Sequence, residues 1–287
     1  MQIFKKYFFI FLYSVCLQLT ISFLIRQYLG IEASSFIGFI AYFFLQVFLS
    51  KTKNDIDPFR ICLVIISAIL ILQLPLRITS FESTSITFID FIFNLLGAPF
   101  ALLLYRLNNQ KIRKYSIAML FLLVAVSSIY INELWRNKIN YGTYTGHISP
   151  KKIIDLTGID EDGKRVASSS FKNKTVLIDF WNTSCSVCFK KFPILQEANN
   201  SFKNDSNFVI LAANHPLNGD SKNQAFEMIK KRNYTFKTFI LDNDKVASKV
   251  GVNSFPTTII IKKEGNMIFF GAIEAAIKKL EEIKRDN

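Results

Sequence analysis

Residues 175–188 read TVLIDFWNTSCSVC. Thr175, Val176, Leu177 and Ile178, then Phe180 and Trp181, form a nearly unbroken apolar, β-favouring run bounded by Lys174 and Asn182. Such a run reads as a strand buried on both faces. Asn182-Thr183-Ser184 reads as a turn, and two cysteines follow, two residues apart. The next stretch, FKKFPILQEANN, carries apolar residues at helical spacing, with Val187, Phe192, Leu195 and Ala198 read as its inner face. Cys185 is therefore expected where a strand hands over to the N-terminus of a helix.

That position has a chemical consequence. A helix N-terminus carries roughly half a positive charge and free N–H donors, which favour a thiolate over a thiol. A lowered thiol pKa gives a usable nucleophile near neutral pH. Two intervening residues let Cys188 reach back and close a disulfide within a helical turn. Cys185 would attack a disulfide and Cys188 would resolve the mixed disulfide, or the reverse sequence would oxidise a dithiol. A lone CxxC also describes half of a zinc site, or an inert structural disulfide. The chain has four cysteines, and the others, Cys16 and Cys62, sit far upstream in apolar runs with no second pair. Redox chemistry is the reading we carry forward.

Several residues give the C-terminal half a family likeness. Asp179 lies six positions before Cys185, Trp181 completes an Asp-Phe-Trp triplet, Pro193 lies five after Cys188, and Phe255-Pro256-Thr257 comes downstream. With these the stretch resembles the thioredoxin superfamily, and the region from about Ile148 onward resembles its membrane-anchored TlpA/ResA-type branch. The resemblance implies an α/β thioredoxin-like domain over residues 149–287. It also implies Asp179 as a buried acid taking the proton of Cys188, Pro256 as a cis-proline facing the cysteines, and Trp181, Phe255 and Pro256 bordering the substrate. Ser186-Val187 departs from the Gly-Pro common between the cysteines of reductants, and Ser184 replaces the aromatic often found before the first cysteine.

Half of the 287 residues are hydrophobic and 29 are Phe. The apolar weight falls in the first 131 residues, so two domains are expected, with residues 132–148 as a juxtamembrane linker. Five runs approach the roughly 20 apolar residues needed to cross a bilayer: 7–25, 34–50, 61–76, 86–105 and 115–131. The fold class is thus an all-α polytopic membrane domain of about five helices followed by the α/β domain. The net charge of +13 divides almost evenly between the two halves. In the second half the basic residues are interspersed with acids, so no nucleic-acid stripe is formed.

Loop charges orient the membrane part. Lys5, Lys6, Lys51, Lys53, Arg60, Arg106, Lys111, Arg113 and Lys114 fall on one side, and only Arg26 and Arg77 on the other. The amino terminus is expected in the cytoplasm of a multi-pass inner membrane. Five crossings place the second half in the periplasm or another extracytoplasmic space. The first run also resembles a signal peptide, but no convincing small-x-small site follows it. Cys16 and Cys62 read as small core residues. Asp90 reads as an acid reaching the outer interface, Gln18, Gln46 and Gln73 as inter-helix hydrogen-bonders, and Gly97-Ala98-Pro99 as a bend.

Beyond the cysteines, residues 152–156, 208–213, 238–241, 258–261 and 267–270 read as strands, and 224–232 and 272–285 as helices. His147 and His215 read as loop residues. The expected function is a membrane-anchored, extracytoplasmic thiol–disulfide oxidoreductase. It would act on protein thiols or disulfides, be served by a membrane or extracytoplasmic electron donor, and need no cofactor. The lean toward reductase rests on the family resemblance. The alternative is a membrane transporter or partner platform whose thioredoxin-like module senses redox state or docks.

Overall fold

The computed structural model describes residues 2–53, 55–152, 156–221 and 223–286. It divides into two compact units, residues 1–136 and 137–287.

The first unit is helical. Its helices are α1 (Gln2–Thr20), α2 (Arg26–Thr52), α3 (Pro58–Thr79), the short α4 (Phe81–Thr84), α5 (Phe88–Tyr105) and α6 (Gln110–Tyr141), the last continuing past the unit's boundary. Among the described residues, four continuous runs are long and apolar enough to cross a membrane: Phe4–Thr52, Pro58–Thr79, Phe81–Tyr105 and Gln110–Tyr141. The first, of 49 residues, joins α1 to α2 through a π-helical turn at Ile21–Ile25 and breaks at Gly30, whose φ of 86° and ψ of 176° are not helical. Gly30 tolerates that backbone because it has no Cβ. The arms on either side pack together: the Tyr42 hydroxyl donates to Gln18 Oε1 at 2.9 Å, 24 positions away. A straight helix would separate them by about 36 Å. The run is therefore two antiparallel arms, which reconciles four apolar runs with five apolar segments in the sequence.

The exterior of this unit is apolar, and its interior mixes apolar side chains with buried polar ones. Phe4, Phe23, Phe48, Ile71 and Tyr115 are each more than 60% exposed, while Ser14, Gln18, Ser34, Ser35, Gln46, Asp90, Asn94 and Asn132 are buried. An apolar exterior with its polar side chains turned inward suits contact with lipid, which offers polar groups no partner. Asp90 corrects the sequence reading. It is fully buried and ion-paired with Arg26, and its other oxygen lies 3.5 Å from the Ser35 hydroxyl, which accepts from Asn132 Nδ2 at 3.0 Å. An ion pair of this kind offsets part of the cost of burying a charged group. Gln46 bridges α2 to the Pro58 carbonyl, as expected of an inter-helix residue, but Gln73 bonds Arg77 within its own helix. Gly97 serves close approach: a Cβ there would lie 2.4 Å from the Phe39 carbonyl oxygen of α2. Cys62 is buried, but Cys16 is exposed on the apolar exterior.

The second unit is the expected α/β sandwich. Its sheet comprises β1 (His147–Lys152), β2 (Thr157–Ile159), β3 (Arg165–Ala167), β4 (Thr175–Trp181), β5 (Phe208–Asn214), β6 (Lys237–Leu241), β7 (Thr257–Ile261) and β8 (Asn266–Gly271). They lie in the order β1-β8-β7-β4-β5-β6-β2-β3. The strand β4 sits in the middle, parallel to β5 and antiparallel to β7, and all seven of its residues are buried. That is why the run reads as continuously apolar rather than alternating. Leu177 and Trp181 face one core with α7 (Ser186–Phe202), α8 (Gln224–Lys230) and α10 (Ile273–Arg285). Val176, Ile178 and Phe180 face the other with α9 (Lys245–Lys249). The helix α10 buries Ile273, Ala276, Leu280 and Ile283.

Two boundaries differ from the sequence reading. The expected linker begins as the last turns of α6, because nothing in residues 132–141 breaks a helix, and it ends inside β1. The strand expected at 152–156 lies mostly outside the described residues. Around it, β1 ends at Lys152 and β2 begins at Thr157.

Candidate functional site

Strand β4 ends at Trp181, and α7 begins at Ser186 with Cys185 as its N-cap. The Cys188 amide donates to Cys185 Sγ at 3.1 Å, which is the donor-rich setting that stabilises a thiolate at a helix start. Cys185 and Cys188 are disulfide-bonded, with Cα atoms 5.3 Å apart. They are not equivalent. Cys185 is half-buried, whereas Cys188 is 0% exposed in the core with Trp181 and Phe192. An incoming sulfur can reach only the first.

Asp179 lies on the same face of β4 as Leu177 and Trp181, toward the layer that holds Cys188. It is fully buried. Oδ1 accepts from the Thr258 hydroxyl at 2.7 Å, across the β4–β7 pair, and Oδ2 has no partner. Burial pushes its pKa up to about 7; the Thr258 hydrogen bond opposes this and the Glu274 charge adds to it. The carboxyl thus titrates near neutral pH. Glu274, in the first turn of α10, is ion-paired with Lys191 of α7.

The Phe255–Pro256 peptide is cis, as the resemblance implies. Both residues are half-buried, and the Pro256 carbonyl accepts from the Tyr141 hydroxyl at 3.2 Å. Pro193 lies within α7. Trp181 does not border a substrate surface: it is 0% exposed and meets Phe189 and Phe192 edge-on, so it forms the floor beneath the cysteines. Val187 also departs from the sequence reading, which turned it inward. It is 48% exposed, and among the described residues of 149–286 it is the one large hydrophobic left so exposed. It stands five positions from Phe192, about 140° around the helix, so the spacing itself separates it from the buried face. His215 is the expected loop residue, directly after β5, and its ring lies 5.0 Å from Phe255. Burial holds its imidazole below the usual range, against the charge of Asp244. His147 begins β1 and is exposed.

Two cavities in this unit, of about 540 and 260 Å³, include neither sulfur.

The Redoxin family model matches residues 147–282, which leaves the helical unit outside the match. The thiol-disulfide oxidoreductase ResA of Bacillus subtilis is 29% identical over 151 residues, covering 52% of this chain and 78% of that protein. ResA of Geobacillus thermodenitrificans is 25% identical over 161 residues, covering 56% of this chain and 86% of its own. Among solved structures, the thioredoxin domain of a thiol-disulfide oxidoreductase from Bacteroides vulgatus is 25% identical, with a TM-score of 0.43, and covers 47% of this chain and 98% of that one. The C-terminal half is a redoxin-type, thioredoxin-like domain matching ResA-type proteins.

Proposed function

We propose that this thioredoxin-like half works as a membrane-anchored, extracytoplasmic thiol–disulfide oxidoreductase. The observation that carries the reading is the Cys185–Cys188 pair at a helix N-terminus with one sulfur half-exposed and the other buried. From the reduced state, the Cys185 thiolate attacks a client disulfide. One client thiolate leaves and the other client sulfur becomes bonded to Cys185. Cys188 then attacks Cys185 Sγ, its proton passes to the Asp179 carboxylate, and the second client thiolate departs. The Cys185–Cys188 disulfide remains, and an external dithiol must reduce it for another turnover. Phe255, Pro256 and Val187 border the client segment.

The apolar exterior of the helical unit and the charge bias of its loops support a bilayer location, with five crossings, a cytoplasmic amino terminus and the cysteines outside. Reduction over oxidation rests on likeness to ResA alone. Two measurements test the proposal. A Cys188→Ala variant of the full chain is expected to accumulate mixed disulfides with several client proteins; capture of one fixed partner would favour the docking alternative. In intact cells, a membrane-impermeant maleimide is expected to label Cys185 after mild reduction. Labelling that appears only after lysis would overturn the orientation.

A further inference from the structure

Four residues, 182–185, carry the chain from β4 to α7 and hold the nucleophile. Inside this loop, Asn182 Oδ1 accepts from the Ser184 amide at 3.1 Å and from its hydroxyl at 3.0 Å, and the Cys185 amide donates to the Asn182 carbonyl at 3.2 Å. These bonds shape the loop but do not fix it against the sheet. Ser184, Ser186 and Val187 are exposed, so no packing holds its outer side. Apart from the Cys185 contacts to Cys188 at the start of α7, one side-chain hydrogen bond among the described residues ties the loop to another part of the domain: the Thr183 hydroxyl donates to Asp220 Oδ1 at 2.8 Å.

Asp220 is itself held in place. Its Oδ2 accepts from the Leu217 amide at 3.1 Å, and its own amide donates to the Leu217 carbonyl at 3.1 Å. The turn that carries it starts directly after β5, where the His215 amide donates to the Trp181 carbonyl at 2.8 Å. Residues 215–220 therefore grip the cysteine loop twice, by backbone at the end of β4 and by carboxylate two residues before Cys185. A hydrogen bond to an ionised acceptor is about twice as strong as a neutral one. Asp220 is half-buried and borders the cavity of about 260 Å³, so shortening its side chain leaves no void in the core.

We propose that Asp220 is a positioning residue for the disulfide exchange, fixing through Thr183 the direction in which Cys185 meets a client sulfur. The proposal rests on the oxidoreductase reading above. Thiolate attack needs three sulfurs close to a line, and misplacement by about an ångström can cost up to about 10²-fold in rate. Nothing in the local sequence marks this residue, which lies 37 positions after Thr183.

The test uses the full chain in detergent micelles, reduced and then mixed with a small aromatic disulfide, with insulin as a second substrate. Thr183→Val keeps the shape and removes the hydroxyl, while Thr183→Ser keeps the hydroxyl. Thr183→Val and Asp220→Ala are each expected to slow attack about tenfold, and the double variant no further, because both remove one contact. Thr183→Ser is expected within about twofold of the parent. Circular dichroism and the melting midpoint should stay at parent values for Thr183→Val, which guards against Asp220→Ala failing to fold. A parental rate in Thr183→Val, multiplying effects in the double variant, or no rescue by serine would each overturn the proposal. A parent chain inert toward both disulfides would instead sink the oxidoreductase reading, and the positioning role with it.

Discussion

Replacing Cys185 with serine is expected to abolish reduction of insulin disulfides by the full chain, with a loss of about 10³-fold or more, whereas Cys188→Ser is expected to leave the first attack intact. The asymmetry follows from where the sulfurs sit. Cys185 is half-buried at the mouth of the site and caps α7, so its thiolate is both reachable and stabilised. Cys188 is wholly enclosed, and no client sulfur can approach it without unfolding the helix start. A serine at 185 keeps the cap but is far too weak a nucleophile at neutral pH, and losing the attacking atom of a covalent mechanism costs orders of magnitude in rate. A serine at 188 should yield one product thiol per molecule and then a stalled mixed disulfide. Equal rates for the two variants, or retained turnover in Cys185→Ser, would remove the basis for the mechanism.

Asp179→Asn is expected to move activity and stability in opposite directions. The folded acid has a pKa of about 7, against about 3.9 in an unfolded chain. Between those values the native state holds a proton that the unfolded state has released, so stability is greatest below about pH 4 and is lost as pH rises through 7. About three pH units correspond to about 4 kcal/mol. The neutral amide carries no such penalty. The variant of the 137–287 unit should therefore be more stable than its parent at pH 8 and close to it at pH 4, as read by urea unfolding. Its activity should fall by about 10²-fold, the ordinary contribution of a general base. Release of the second client thiol should rise with pH through about 7 in the parent, as the carboxyl becomes able to accept a proton. That inflection should be missing in the variant, and its persistence would exclude Asp179 as the acceptor.

How much of this was legible in the sequence depends on how local each feature is. The β4 run, the helix cap at Cys185 and the apolar segments of the first unit are written in consecutive residues, and each stands where the spacing puts it. The α6 continuation through residues 132–141 is not legible, because its polar and aromatic residues have a linker's composition although nothing there breaks a helix. Val187 stands off the buried face, since five positions from Phe192 are about 140° of helix. Other features join distant positions: Arg26 with Asp90, 64 apart, and Thr183 with Asp220, 37 apart. No periodicity encodes such pairings, because they exist only once helices and strands have packed. The exposure of Cys16 has another cause, since a helix that is apolar all round does not tell which side packs inward.

The placement of Trp181 has an optical consequence. The chain has two tryptophans, and this one shares a closed core with Cys188. Sulfur–sulfur bonds quench indole emission at short range, and thiols do so far less. Oxidation and reduction of the pair should thus be written directly into the intrinsic fluorescence of the second unit. With Trp135 exchanged for phenylalanine, the molecule would report its own electron count without any added dye.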